Sequence, residues 1–278
     1  MKLTFLGTGS PIPDASRAGP ATLVQAGGLN LLFDCGRGVL MRLAAAGIPT
    51  PALIHMQLLT HLHSDHVTDF NDVVTTRWVT SPVDAPLHVV GPPGTATFAE
   101  RTVEALSSDI GWRLAHHDDL NWDPGVLVAE LEAGPVEHQV LDSAGVTVTA
   151  APTEHRPVHP TCGYRVEHDG GSVVIAGDTV PCVGLSSLVA GADVYVQTVI
   201  REDIIRQIPL QRLQDVTDYH STVVQAAQTA AEAEVGTLVL VHMVPSPAPG
   251  DEAEWIGIAR QHFDGTVLAP NDLDSLEI

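Results

Sequence analysis

The chain has 278 residues, 44% of them hydrophobic, enough for a large core in one domain or in two fused halves. Its 13 Lys and Arg face 34 Asp and Glu, for a formal net charge of −21, which repels polyanions at long range, and the few basic residues form no patch that would seat a nucleic acid. No apolar run reaches the ~18 residues of a membrane span, no signal segment precedes the opening strand, and three cysteines without a CxxC pair fit a reducing compartment, so a soluble cytoplasmic protein is expected.

In chain order, Met1–Leu6 reads as a strand, and Leu29–Phe33 as a second that runs into Asp34-Cys35-Gly36. Val39–Ala46 has helical periodicity, with Gly47 as its stop and Pro49 just beyond. Ile54–Leu59 is a buried strand ending in Thr60-His61-Leu62-His63-Ser64-Asp65-His66. A helix is predicted over Thr95–Leu106, while Ser107–Pro135 has periodicity too weak to organise. Gly163–Glu167 and Ser172–Ala176 read as strands of a hairpin turning at Gly170-Gly171, and the second runs into Gly177-Asp178-Thr179. Thr222–Glu234 is a helix capped by Ser221 or Thr222, and Thr237–Val241 a strand ending at His242. Strands thus alternate with helices over one domain, 1–278, in two halves meeting near residues 140–150. The polar residues competent to bind metal fall at strand ends, where loops at one sheet edge converge on a rigid frame.

The run from His61 to His66 carries the chemistry. In an extended segment side chains alternate, so His61 and His63 can face one cation, while Asp65 and His66, at the start of a helix, can turn to a second. Neutral imidazole with carboxylate suits zinc; manganese, iron and nickel are harder to exclude. Two cations need further ligands. His155, Asp178 and His242 are the candidates: His155 precedes a strand, Asp178 follows a buried one where an unpaired carboxylate is costly, and His242 ends an apolar one. The other histidines read as ordinary surface or core residues, with His159 and the pair His116 and His117 the ones most able to line a pocket instead.

Taken with Leu6-Gly7-Thr8-Gly9-Ser10-Pro11, Phe33-Asp34-Cys35-Gly36-Arg37-Gly38, Cys162-Gly163-Tyr164-Arg165, His220-Ser221-Thr222 and Asn271-Asp272-Leu273, these motifs make the chain similar to metallo-β-lactamase-fold hydrolases. It resembles the branch holding ribonuclease Z and the zinc-dependent arylsulfatases, over nearly its whole length. The resemblance implies an α/β fold, an αββα sandwich with its site at one edge between two sheets. It implies His61, His63 and His155 on one metal, Asp65, His66 and His242 on another, and Asp178 bridging two divalent ions, zinc before manganese or iron. Asp34 would accept a hydrogen bond from a ligand imidazole and fix its tautomer. A homodimer is implied as well.

A metal-bridging hydroxide would be the nucleophile, Asp65 could orient it, and His220 is the candidate general acid. Ribonuclease Z carries a long tRNA-clamping arm between the positions matching His155 and Asp178, and here only a hairpin fits. It also carries a His-Glu-Ala-Thr segment whose Glu positions the catalytic His, and here Thr198 stands in its place. The acidic charge adds to these departures, and Leu240-Val241-His242-Met243-Val244-Pro245 looks like the arylsulfatase and small phosphodiesterase branch. The expectation is therefore a hydrolase of a small ester, aryl sulfate or phosphodiester, with a small-molecule substrate and no nucleic acid or membrane partner. Alternatives are a lactone or carboxylic ester hydrolase, a ribonuclease Z-like tRNA 3′ endonuclease, and a non-hydrolytic oxidase or biosynthetic accessory of the same fold. His63, where oxidative diiron relatives have Glu, argues against the last. Arg37 and Arg77 could meet an anionic group, though a solvated or structural guanidinium is the commoner fate.

Overall fold

The structure is a computed structural model describing residues 1–132, 137–248 and 250–278. The first sheet takes β1 (Lys2–Gly7), β2 (Ala21–Ala26), β3 (Leu29–Phe33), β4 (Met56–Leu58), β5 (Leu87–Gly91) and β6 (Val126–Glu130) in chain order. The second takes β7 (His138–Ser143), β8 (Val146–His155), β9 (Val158–His168), β10 (Gly171–Ile175), β11 (Val194–Ile200), β12 (Thr237–Val244) and β13 (Thr266–Leu268). The chain end returns as β14 (Ser275–Glu277) beside β1. The crossing from one sheet to the other lies between Glu130 and His138, ahead of the 140–150 region.

Both sheets are mixed. β1, β2 and β3 pair antiparallel, then β3 to β6 run parallel. In the second sheet β7 to β10 pair antiparallel and β10 to β13 run parallel. Leu3, Phe33, Val148, Tyr164, Val196 and Val239 fill the space between the sheets. The outer face of the first sheet is covered by α1 (Val39–Ala45), α2 (Ser64–Val67), α3 (Phe70–Thr80) and α4 (Thr95–Ala105), through side chains such as Val39, Leu43, Val67, Phe70 and Ala99. α5 (Ser107–His116) packs on α4, and the remaining helices are α6 (Val183–Val189), α7 (Glu202–Ile205), α8 (Gln211–Gln214), α9 (Val223–Glu232) and α10 (Glu252–Ala259). Leu185, Ala226, Ala227 and Trp255 bring α6, α9 and α10 onto the second sheet. Helix, sheet, sheet, helix is the expected αββα sandwich. Its parallel strands leave their carboxyl ends along one edge, where open α/β sheets place ligands.

Three local differences have physical causes. The strand predicted over Ile54–Leu59 shortens to β4, because Pro51–Leu53 forms a 3₁₀ turn capped by Thr50. The Arg77 guanidinium holds that turn, donating to the carbonyls of Pro51, Ala52 and Ile54, so Arg77 is a buried structural cation rather than an anion receptor. The β9–β10 hairpin turns at Asp169-Gly170, one residue earlier than expected: both have positive φ, 50° and 81°, while Gly171 already pairs with His168. The stretch that resisted organisation contains α5 and β6, and its last residues, 133–135, lie outside the described ones. Among the described residues, no helix is long and apolar enough to cross a membrane.

Candidate metal centre

Six chain segments meet at this edge. At the end of β3, Asp34 takes a left-handed φ of 54°, and its amide donates to the Leu58 carbonyl. Its carboxylate then reaches across to the metal-competent loop: Oδ1 accepts from the Thr60 amide at 2.8 Å, and Oδ2 accepts from His66 Nδ1 at 2.8 Å. Gly36 lets the loops close on each other, since a Cβ there would lie 2.5 Å from the Asp65 carbonyl. Beyond β4, His61 is fully buried, and His63 stands at the N-cap of α2.

Four of the imidazoles, those of His61, His66, His155 and His220, are oriented by their other nitrogen. His155 Nδ1 donates to the Tyr219 carbonyl at 2.8 Å, His220 Nδ1 to the Val216 carbonyl at 2.9 Å, and His61 Nδ1 lies 3.0 Å from Thr60 Oγ1. That leaves Nε2 of His61, His66, His155 and His220 aimed inward. His242 arrives by a different device. Val199 on β11 stands opposite both His242 and Met243, between the pairs Thr198–Val241 and Ile200–Val244, so β12 bulges there and continues past the predicted end of the strand. The bulge puts His242 at φ 47° and turns its ring into the centre.

Asp178 occupies the middle. Its Oδ2 lies 3.2 Å from His220 Nε2, 3.5 Å from His66 Nε2, 3.8 Å from His242 Nε2 and 3.9 Å from Nε2 of both His61 and His155. Gly177 before it, at φ 66°, allows this approach, because a Cβ would come within 2.7 Å of Thr60. His61, His63, His155 and Asp178 bring ligand atoms within 4.8 Å of one another, and so, separately, do Asp65, His66 and His242.

A cation fits both groups. His63 Nδ1 lies 3.0 Å from His61 Nε2 and 3.3 Å from His155 Nε2, and one N–H could satisfy only one of those nitrogens. Buried Asp178 Oδ1 and His66 Nε2 have no hydrogen-bond partner among the described residues. Such orphaned acceptors and donors are costly unless something charged stands between them.

The protonation states of the two groups differ. Burial holds His155 down to about 4, and it moves His61 and His63 the same way, so that group is uncharged at neutral pH. For His66 burial opposes the charge but Asp178 and Asp34 outweigh it, and for His242 Asp178 and Asp65 do the same, so both hold protons above the usual imidazole range. A cation entering between Asp65, His66 and His242 must displace those protons, whereas one entering at His61, His63 and His155 need not. Affinity of the former group should therefore fall more steeply as pH drops from 8 to 6. Zinc titration calorimetry in buffers of different ionisation enthalpy reads this directly: proton release should attach to one binding step, and equal release from both would contradict the assignment.

Of the residues singled out from sequence, His61, His63, Asp65, His66, His155, Asp178, His220, His242 and Asp34 all lie in this one cluster, while His116, His117 and His159 are exposed elsewhere. Thr60, Val216 and Tyr219, which orient the imidazoles, were missed; only their adjacency to His61 and His220 could have flagged Thr60 and Tyr219.

A Beta-lactamase superfamily domain matches residues 29–243. Over 280 residues the chain is 55% identical to Ribonuclease Z of Mycobacterium avium (strain 104), covering 100% of this chain and 98% of that protein. It is 52% identical, with the same coverages, to Ribonuclease Z of Mycobacterium tuberculosis (strain ATCC 25177 / H37Ra). The crystal structure of human tRNase Z, short form, superposes with a TM-score of 0.74 at 25% identity, over 100% of this chain and 99% of that one.

These identities correct two expectations, that of a small aryl sulfate or phosphodiester substrate and that of no nucleic acid partner. Each supporting argument has a physical flaw. The alignments run over 280 positions against 278 residues here, so these ribonucleases carry no long arm between the positions of His155 and Asp178 either. The Glu replaced by Thr198 is not needed to position His220, because the Val216 carbonyl holds its Nδ1. The charge of −21 is a whole-chain sum, and binding responds to the local field. The chain belongs to the ribonuclease Z branch of the metallo-β-lactamase-fold hydrolases.

Proposed function

We propose that this protein is a zinc-dependent endoribonuclease that processes the 3′ end of precursor tRNA by hydrolysing one phosphodiester bond. The observation that carries this reading is the end-to-end identity of 52–55% with proteins named Ribonuclease Z. The convergence of five imidazoles on Asp178 Oδ2 supports it. His61, His63 and His155 would hold one zinc ion, Asp65, His66 and His242 the other, with Asp178 shared. When bound, the ions would supply Lewis acidity, lowering the pKa of water toward neutrality and offsetting charge on the phosphoryl oxygens.

The chain's own groups do the rest. Asp65 is kept ionised by His242 and His66 despite its burial, so it can accept a hydrogen bond from the attacking water and orient it. His220 has its Nδ1 proton committed to Val216, which leaves Nε2 as the atom that carries a proton to the departing ribose oxygen. Arg37, exposed directly after Gly36, would be the cation for a neighbouring RNA phosphate. Free Cys35, Cys162 and Cys182 fit work in the reducing cytoplasm.

The test is an assay on end-labelled precursor tRNA, run beside an aryl sulfate and a lactone. Zinc-loaded protein should cut the RNA at a single position at the mature 3′ end and lose this on chelation. Intact precursor after prolonged incubation would overturn the proposal.

A further inference from the structure

We propose that the ring of Tyr219 is a stacking subsite for an unpaired nucleobase next to the scissile phosphate, a role that rests on the ribonuclease reading above. Of the three tyrosines, Tyr164 and Tyr195 are fully buried, and Tyr219 alone is partly exposed. That ring stands at the mouth of the metal centre. Its centroid lies 5.1 Å from the His155 ring, edge to face at 83°, and 4.8 Å from the ring of His220.

The position is stiff for reasons independent of any ligand. The Tyr219 carbonyl accepts the His155 Nδ1 proton, and the next residue, His220, is tied through Nε2 to Asp178 at 3.2 Å. A flat aromatic surface is thus held at a fixed distance from the reacting centre. Single-stranded RNA is gripped in this way, by stacking unpaired bases on aromatic side chains, and stacking tolerates sequence variation because every base has a π-face.

The surroundings narrow the ligand further. Asp218 directly precedes Tyr219 in the chain and Asp215 lies four residues before it, and burial, the largest cause, acts with Asp215, Asp178 and Asp218 to raise the phenol pKa. Two carboxylates beside the ring repel phosphate but accept hydrogen bonds from exocyclic amines, so the part of the RNA that fits is a base rather than its backbone. Stacking on such a ring adds affinity for RNA that does not depend on phosphate contacts.

The experiment compares wild type, Tyr219→Phe and Tyr219→Leu in their zinc-loaded forms on precursor tRNA and on bis(p-nitrophenyl) phosphate, with zinc content measured for each. The loss of one stacking contact in Tyr219→Leu should raise KM for precursor tRNA about tenfold. Its turnover of bis(p-nitrophenyl) phosphate should fall far less than its turnover of the RNA, its zinc content should match wild type because only the main-chain carbonyl of Tyr219 meets His155, and Tyr219→Phe should match wild type throughout. Unchanged KM for the RNA in Tyr219→Leu overturns the subsite. So does a parallel loss on both substrates with reduced zinc, which would make the ring a mere support for His155. If wild type itself leaves precursor tRNA uncut while hydrolysing the small diester, it is the ribonuclease reading that fails.

Discussion

Asp178→Ala should empty the centre of metal and reduce cleavage on the order of a thousandfold, the equivalent of about 4 kcal/mol of lost charge stabilisation. Asp178 Oδ2 lies within 3.9 Å of imidazole nitrogens from both ligand groups, so its removal touches both at once. Its carboxylate is buried, and burial works against its charge, yet His242, His66 and His220 together hold it well below the usual carboxylate range. Deleting it leaves His66 and His242 without their principal counter-charge, so their protons become easier to lose while the negative ligand for any cation is gone. Asp178→Asn preserves shape and removes only the charge, and should lose metal nearly as completely. Elemental analysis of both variants after dialysis decides the matter: wild-type zinc content in either one would show that Asp178 is not shared between the groups.

His220→Ala should behave differently. It is expected to keep its metal, because the two groups of candidate ligands are complete without His220. Turnover of precursor tRNA should fall about 10²–10⁴-fold, the range for losing a positioned general acid. The ribose oxygen that departs from RNA is a poor leaving group and needs the proton, whereas p-nitrophenolate does not. The loss on bis(p-nitrophenyl) phosphate should accordingly be tenfold or less. Equal losses on both substrates would remove the acid role and leave His220 as a hydrogen-bonding partner of Asp178. The pattern also separates His220 from Tyr219, whose replacement acts on KM for the RNA far more than on the small diester.

Much of this centre could be read from short stretches of chain because the forces that place it there are local. An apolar run of five residues that stops at Asp34, or at Gly177-Asp178, is a buried strand ending in a carboxylate, and the alternation of an extended segment relates His61 to His63. The Thr222 cap of α9 is equally local: its hydroxyl accepts from the Gln225 amide while the Gln225 side chain accepts from the Thr222 amide. Where local signals misled, a distant group had intervened. Arg77 binds the carbonyls of Pro51, Ala52 and Ile54, and the strand predicted from Ile54 starts only at Met56. Thr198 looked like the loss of a positioning carboxylate until the Val216 carbonyl was found in that role, four residues from His220 in the chain.

The sequence by itself determined the layered architecture and the set of residues able to hold metal, since hydrophobic periodicity and the His61–His66 run depend on neighbours a few positions apart. Only the tertiary structure decided how those residues meet. The bulge that swings His242 toward Asp65, 177 positions away, arises from the register of β12 against β11, and the carbonyl that orients His155 lies 64 positions beyond it. Register and loop closure are set by how whole sheets pack, a sum of many weak contacts that no single stretch of the chain encodes.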